Sequence, residues 1–216
     1  MKNILNFREL INLYDGFIFD QFGVIHDGVV INPEIEKVIS EIKNKNKKFY
    51  ILSNSGKTNV KNFERISKMG TKIINFSDIV TSGDIFKSLL INKKYPFNEL
   101  GNKYFIIGKY DDLLSDTQYT RSNNISDSNF LLLITLNDSK NTDQIKTDLN
   151  EGLNNNKKLV CVNPDIKGIH GMQISLSVGS IAKEYESSGG CVLYVGKPYL
   201  NSFNYILDLL YPIDKK

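Results

Sequence analysis

Short apolar runs alternate with segments of helical periodicity through the first ninety residues of this chain. Residues 17–19 and 49–52 are apolar runs, and each ends in a polar turn. After the first run, Pro33 opens a segment in which Ile35, Val38, Ile39 and Ile42 recur at helical spacing. Uninterrupted apolar strands need cover on both faces. The pattern therefore predicts an α/β fold with a parallel sheet wrapped by helices.

The same alternation continues from about residue 84 as a new unit. Apolar runs predict strands near residues 104–107, 130–135 and 159–162, and helical spacing predicts helices near 142–153 and 180–186. We interpret residues 84–188 as an inserted α/β module. Residues 1–83 and 189–216 would then form the core.

Length and composition exclude several classes of protein. Against about 150 residues per domain, 216 residues suit one domain with an insertion. Lys and Arg number 27 against 24 Asp and Glu, and this small excess is spread along the chain, so we expect no nucleic-acid and no membrane partner. The longest apolar run, 130–134, is far below the roughly 18 residues of a membrane span. Cys161 and Cys191 lie in apolar stretches, which predicts reduced core thiols and a cytoplasmic protein.

Groups able to handle a phosphate follow the first two predicted strands. Asp20 closes the first strand, and Ser53 with Asn54 closes the second. In an open parallel sheet, ligands bind beyond the carboxyl ends of the strands. A carboxylate there can attack phosphorus, while a hydroxyl, an amide and the N–H groups of the Gly23 turn hold phosphoryl oxygens. Lys197, in a turn after an apolar run, supplies a cation, although each of these residues taken alone is more often a turn or surface residue.

Five segments in order carry a resemblance to a known family. They are FDQFGVIHDG at 19–28, LSNS at 52–55, NPD at 163–165, GG at 189–190 and GKP at 196–198. Together they resemble the haloacid dehalogenase superfamily, and its class IIA phosphatases in particular. That class includes pyridoxal-phosphate, 4-nitrophenyl-phosphate and nucleotide phosphatases. The resemblance implies a doubly wound α/β core with an α/β cap inserted between the second and third motifs.

The resemblance also implies roles for individual residues. It makes the substrate a small phosphorylated metabolite and Mg²⁺ the cofactor. The implied roles are nucleophile and metal ligand for Asp20, a second metal ligand for the backbone carbonyl of Phe22, phosphate contacts for Ser53 and Asn54, a substrate-facing cap position for Asp165, and stabilisation of phosphorylated Asp20 for Lys197.

One departure from the family concerns proton transfer. The phosphatases carry an aspartate two residues after the nucleophile, and this chain carries Phe22. A phenyl ring can neither protonate a leaving group nor activate water, and loss of a general acid/base costs about 10²–10⁴ in rate. We therefore expect weak activity. An aromatic residue here also resembles the metal-independent dehalogenase branch.

A second departure concerns the end of the sequence. The family's fourth, acidic motif has no counterpart, because Asp214 precedes the strand that would carry it. We therefore expect an incomplete Mg²⁺ site and a core that lacks strands at its C-terminus. Residues 17–19 would then form an unpaired apolar edge, which favours association. The sequence thus predicts a truncated or split form that is poorly soluble or forms a homo-oligomer, or that is completed by a C-terminal fragment.

Three functions stay open at this point. A weak Mg²⁺-dependent phosphatase is favoured because Asp20, Ser53, Asn54 and Lys197 are all present. An inactive relic, or a small-phosphate-binding protein, is favoured by Phe22 and the missing motif. A dehalogenase-like hydrolase with an aspartate nucleophile is the third. Whether the chain is an enzyme is open, and we lean towards a phosphoric monoester hydrolase.

Overall fold

The computed structural model describes residues 7–109, 111–136, 142–170 and 173–212. The strands are β1 (Gly16–Asp20), β2 (Lys48–Ser53), β3 (Ile79–Thr81), β4 (Lys103–Ile107), β5 (Thr120–Arg121), β6 (Phe130–Leu133), β7 (Lys158–Cys161), β8 (Lys167–His170), β9 (Gln173–Leu176) and β10 (Val192–Tyr194). The α-helices are α1 (Phe7–Leu13), α2 (Pro33–Asn44), α3 (Asn59–Lys68), α4 (Ser82–Ile91), α5 (Thr142–Asn154), α6 (Val178–Ser187) and α7 (Leu200–Leu210). Short 3₁₀ turns occupy Phe76–Asp78 and Phe97–Glu99.

The first sheet is parallel and has the strand order β1-β2-β3. Its strands are aliphatic and aromatic, and the helix between the first two begins where the sequence predicts it. Asn32 caps that helix by accepting a 3.1 Å hydrogen bond from Glu34 N, and Pro33 provides a preset φ at the first helical position. Ile39 and Ile42 of α2 are fully buried against this sheet.

Strand β1 is the edge of this sheet within the described part of the chain. The side chain of Ile18 is 40% exposed there, whereas Phe19 points to the other face and is buried. An apolar edge of this kind agrees with the expectation from the sequence. Association through it, an incomplete core and a complementing fragment all stay predictions. Asp214 lies outside the described residues.

The second sheet is also parallel and has the strand order β10-β7-β6-β4-β5. Strand β6 is central, and its side chains alternate between two apolar layers, as the period of two in a strand requires. Leu131 and Leu133 pack with residues of α5 and α6 on one face. Phe130 and Leu132 pack on the opposite face with residues of α4. These two parallel sheets confirm the predicted α/β class.

The division between core and cap does not follow the predicted boundaries in every detail. Strand β10 lies in the segment 189–216 assigned to the core, but it pairs with β7 of the second sheet. The predicted start of the insertion at residue 84 falls inside α4. One apolar cluster also joins Leu52 of the first sheet to Leu132 of the second. The division into core and cap therefore stays a proposal. If it follows the sheets, the cap ends after Tyr194 and not before residue 189.

Helix α7 closes the described chain over the first sheet. It packs against α4 and β2, and Ile206 and Leu210 are buried in that contact. Lys48 fixes the helix end by donating a 2.9 Å hydrogen bond from Nζ to Leu210 O.

Two other expectations concern the cysteines and membranes. Cys161 is buried as expected, but Cys191 is exposed, because it precedes β10 at the surface and not within the apolar core. None of the described helices has the length and apolar character needed to cross a bilayer.

Candidate active site

The carboxyl ends of β1 and β2 place Asp20 and Ser53 at the same edge of the first sheet. Asp20 is the last residue of β1 and lies opposite Leu52, while Ser53 is the last residue of β2. Parallel strands end at a common edge, so the two side chains come together although 33 positions separate them in the sequence. Ser82, the first residue of α4, supports this turn by donating a 3.3 Å hydrogen bond from Oγ to Ser53 O.

Lys197 reaches this edge from the second sheet. It follows β10, and its ammonium donates to Asp20 Oδ1 and, at 2.8 Å, to Leu52 O. The Asp20 carboxylate also accepts a 2.8 Å hydrogen bond from Gln21 N on the same oxygen. Oδ1 is therefore held by two donors, and Oδ2 is the oxygen of Asp20 without a hydrogen bond among the described residues.

Asn54 connects the two sides of the site. Its Oδ1 accepts a 2.6 Å hydrogen bond from Lys197 N, and its Nδ2 donates to Asp165 Oδ1 at 2.8 Å and to Lys197 O at 3.0 Å. An asparagine amide offers one acceptor and two donor hydrogens, so these bonds use all of its groups. The resemblance implies a phosphate contact for Asn54, but its side chain here holds Lys197 and Asp165 in place.

Gly196 allows this close approach. Its φ is +129°, which L side chains rarely adopt, and a Cβ would lie 2.6 Å from Pro164 Cδ and 2.8 Å from Asn54 Oδ1. The backbone of the Gly-Lys-Pro turn therefore packs directly against the Asn54 amide.

A cleft of about 640 Å³ opens over these residues. Two carboxylates, Asp20 and Asp165, and three cations, Arg65, Lys167 and Lys197, line it. The remaining lining residues are Phe22, Ser53, Asn54, Ser55, Asn163, Gly168, Ser177 and Pro198. Asp20, Ser53, Asn54, Asp165 and Lys197, which the sequence analysis selected, thus share one cleft. Arg65 lies within α3 and Lys167 begins β8, and neither belongs to one of the motifs found in the sequence.

The loop after β1 places Phe22 and Gly23 differently. Phe22 lines the cleft, and its ring packs edge-on against His26 with centroids 5.0 Å apart. Gly23 has φ +81° and donates its N–H to His26 O at 2.8 Å. That N–H is therefore engaged within the loop, and Gly23 does not line the cleft.

A buried polar network lies beneath the loop. His26 Nε2 lies 3.1 Å from Gln21 Nε2, Gln21 lies 3.4 Å from Asn62 Oδ1, and Asn62 donates a 3.0 Å hydrogen bond to Ser55 Oγ. Gln21, His26 and Asn62 are each at most 3% exposed. The network therefore links the loop after β1 to the turn after β2.

His26 is neutral in this network. Its pKa is lowered to about 4, mainly by burial and then by the nearby Arg65 charge, while Asp27 opposes the shift. The backbone N–H of Gly28 donates to Nδ1 at 2.9 Å. Nδ1 is therefore the acceptor nitrogen of the neutral ring.

The donors available for a metal are few. Among the described residues, no three His, Cys, Asp or Glu side chains gather closely enough to hold an ion. Mg²⁺ is commonly bound through one or two carboxylates, with waters and substrate phosphate completing the octahedron. The Asp20 carboxylate fits that minimal arrangement. The site would therefore hold Mg²⁺ together with substrate, not in a protein cage.

Fold and site together define an α/β protein with a carboxylate and a lysine paired at the carboxyl ends of parallel strands. Residues 17–118 match the family model described as haloacid dehalogenase-like hydrolase. This segment contains the Asp20 loop and the Ser53 turn. The sequence of this segment is therefore similar to that of the haloacid dehalogenase-like hydrolases. No curated protein matches it at a significant level.

Solved structures extend the likeness to nearly the whole chain. A haloacid dehalogenase-like hydrolase from Brucella suis is 20% identical with a TM-score of 0.82, over 97% of this chain and 79% of that one. A possible sugar phosphatase from Cytophaga hutchinsonii is 23% identical with a TM-score of 0.77, over 97% and 76%. A p-nitrophenyl phosphatase from Archaeoglobus fulgidus is 21% identical with a TM-score of 0.69, over 91% and 74%. The fold is therefore that of the haloacid dehalogenase-like hydrolases, as the resemblance predicts.

Proposed function

We propose that this chain hydrolyses a small phosphomonoester through an aspartyl-phosphate on Asp20. The observation that carries the proposal is the Asp20–Lys197 pair, which Asn54 fixes at the base of a cleft large enough for a small metabolite. The family match over the Asp20 loop supports it. The phosphatases with the same fold agree with it.

In the first step, Asp20 Oδ2 attacks phosphorus and the bond from phosphorus to the leaving oxygen breaks. Lys197 holds Oδ1 and so directs Oδ2 into the cleft. The Ser53 hydroxyl accepts a 3.2 Å hydrogen bond from Ser55 N and donates to no group among the described residues, so its hydrogen is available to a phosphoryl oxygen. In the second step, water attacks the aspartyl-phosphate, releasing inorganic phosphate and the free carboxylate.

Charge and proton transfer limit the rate of these steps. A phosphate charge 4 Å from the ionised Asp20 is repelled by roughly 1–4 kcal/mol, depending on the local dielectric. Lys197 offsets part of this, and Mg²⁺, which the Asp20 carboxylate and the Phe22 carbonyl would hold, would supply further positive charge. Phe22 cannot protonate the leaving oxygen. Substrates with acidic leaving groups should therefore react, and alkyl phosphates should react very slowly.

The decisive experiment measures hydrolysis of 4-nitrophenyl phosphate with and without Mg²⁺. We expect turnover that requires Asp20 and rises with Mg²⁺, and the isosteric Asp20→Asn variant should abolish it. Lys68→Gln, an exposed change on α3 outside the cleft, is the control and should keep full activity. Equal turnover by wild type and Asp20→Asn would refute the proposal.

A second variant tests the role of position 22. Restoring a carboxyl group by Phe22→Asp should raise turnover of glycerol 3-phosphate by about 10²–10⁴. The gain on 4-nitrophenyl phosphate should be much smaller, because 4-nitrophenolate leaves without a proton. A phosphate-binding protein without activity is the alternative that Phe22 favours. It would bind inorganic phosphate and show no Asp20-dependent turnover. Metal-independent release of halide from a 2-chloro acid would instead identify a dehalogenase.

A further inference from the structure

Two cations at the rim of the cleft are not used by the proposed reaction. Arg65 lies on α3 of the first unit, and Lys167 begins β8 of the second. Both line the cleft and both are exposed. Neither forms an ion pair with a carboxylate within the described part of the chain, whereas Lys197 at the base is paired with Asp20.

Arg65 is connected through Asn62 to the turn after β2, which contains Ser55. Its Nη2 is 3.5 Å from Asn62 Oδ1, and Asn62 in turn bonds Ser55. A contact of 3.5 Å is at the limit of a hydrogen bond, so most of the five N–H donors of the guanidinium are available to a ligand.

Lys167 lines the same cleft from the start of β8. It follows two residues after Asp165, whose carboxylate is held by Asn54 at 2.8 Å. The cleft therefore contains three cations and two carboxylates, and the unpaired positive charge lies at its rim.

We propose that Arg65 and Lys167 form a second anion-binding site, so that the substrate is a phosphomonoester whose leaving group carries a carboxylate or a second phosphate. The inference rests on the proposed function, which places the reacting phosphate at Asp20. The leaving group then projects towards the rim between the two cations. A neutral leaving group of the same size makes no charged contact there.

The test compares ligands that differ in one group. 3-Phosphoglycerate and glycerol 3-phosphate have the same three-carbon chain, with a carboxylate in one and a hydroxymethyl group in the other. Their Kd values are measured by calorimetry with the full chain carrying Asp20→Asn, which keeps the ligands intact, and inorganic phosphate serves as the reference for the base of the cleft. 1,3-Propanediol bisphosphate tests the form with a second phosphate.

We expect 3-phosphoglycerate or the bisphosphate to bind about tenfold more tightly than glycerol 3-phosphate, as charge-assisted hydrogen bonds provide. Arg65→Gln and Lys167→Gln should each bring that ratio towards one and leave the Kd of inorganic phosphate unchanged. Lys68→Gln, three residues beyond Arg65 on the same helix, should keep the ratio. The preference should also weaken in high salt.

Equal binding of all three organic ligands, or a preference unchanged in both rim variants, would overturn the second site. A preference kept in a chain without Asp20-dependent turnover would support the second site and reject the hydrolase. Asp20-dependent turnover without a preference for the ligands with a second anionic group would support the hydrolase and reject the second site. Absence of binding by every ligand, inorganic phosphate included, would overturn both.

Discussion

The base and the rim of the cleft differ in how firmly their polar groups are held. At the base, Ser53 and Asn54 are at most 8% exposed, and the Asn54 amide uses all its hydrogen-bonding groups. At the rim, Arg65 and Lys167 are exposed and form no ion pair among the described residues.

This difference agrees with two kinds of recognition. Donors fixed before the ligand arrives lose little entropy on binding and suit a group of constant shape such as a phosphoryl group. Long, exposed cations adapt to leaving groups of different length, and they lose more side-chain entropy when ordered. The base would therefore determine the reaction, and the rim would select among substrates.

The largest effect is expected at the base, for Lys197→Met. This change keeps most of the side-chain volume and removes the donor to Asp20 Oδ1. Loss of one charge-stabilising donor costs about 10²–10³ in kcat, which should be measured on 4-nitrophenyl phosphate. The matched Lys68→Met variant should retain the wild-type kcat. A Lys197→Met enzyme with unchanged kcat would remove Lys197 from the machinery.

Two glycines with positive φ provide a second, structural test. Gly196→Ala places a Cβ 2.6 Å from Pro164 Cδ, and we expect a loss of about 3 kcal/mol in the free energy of unfolding. Gly189→Ala at φ +90° has nothing within 4 Å, so only the backbone cost of about 1 kcal/mol applies. Urea denaturation of the two variants measures the difference. Equal losses would show that the turn at Gly196 can yield without disturbing Asn54.

His26 beneath the base should make stability depend on pH. The unfolded chain protonates this imidazole near pH 6.5, whereas the folded chain does so only near pH 4, because burial and the Arg65 charge lower its pKa. The unfolded state thus binds more protons in that window. The free energy of unfolding falls as the pH drops below 6.5, by about 2 kcal/mol at pH 5, and is unaffected by His26 above pH 7.

The measurement is denaturant unfolding at pH 7 and pH 5 of wild type and His26→Gln. His170 and the carboxylates are common to both proteins, so the difference between their pH responses isolates His26. Identical responses would show that the folded protein protonates His26 as readily as the unfolded chain does.

The smallest effect is expected for stability at the rim. Arg65→Gln and Lys167→Gln should each change the free energy of unfolding by less than about 0.5 kcal/mol, as is usual for exposed side chains that form no ion pair. A larger loss would show that these cations support the fold, and would weaken their assignment as ligand groups. Thermal unfolding of both variants beside wild type decides this.

Much of the base could be predicted from the sequence. Asp20 and Ser53 could be identified from the sequence because apolar runs show where strands end, and parallel strands end at the same edge of a sheet. Lys197 could be identified from the Gly-Lys-Pro turn that contains it and from the position of this turn after the other motifs. Arg65 and Lys167 gave no such signal, because which side of a helix or strand faces a cleft depends on how the whole element packs.

Three features of the structure differ from what the local sequence pattern suggests. Gly23 has the turn conformation that its sequence predicts, but its N–H is engaged with His26 O and not directed to the cleft. Cys191 lies beside an apolar run but is exposed. Strand β10 follows the predicted cap and pairs with β7 of the same sheet. In each case the local sequence pattern predicts the conformation of the segment but not the surroundings of its residues.

The sequence by itself determined the α/β class, the strand ends and the phosphate-handling groups there, because these follow from side-chain periodicity and the geometry of parallel strands. Only the tertiary structure decided that Asn54 bridges Lys197 and Asp165, that His26 is buried and neutral, and that two unpaired cations flank the cleft. Those features depend on contacts between segments that are separated in the sequence, or on the rotation of whole elements, and the local sequence pattern determines neither.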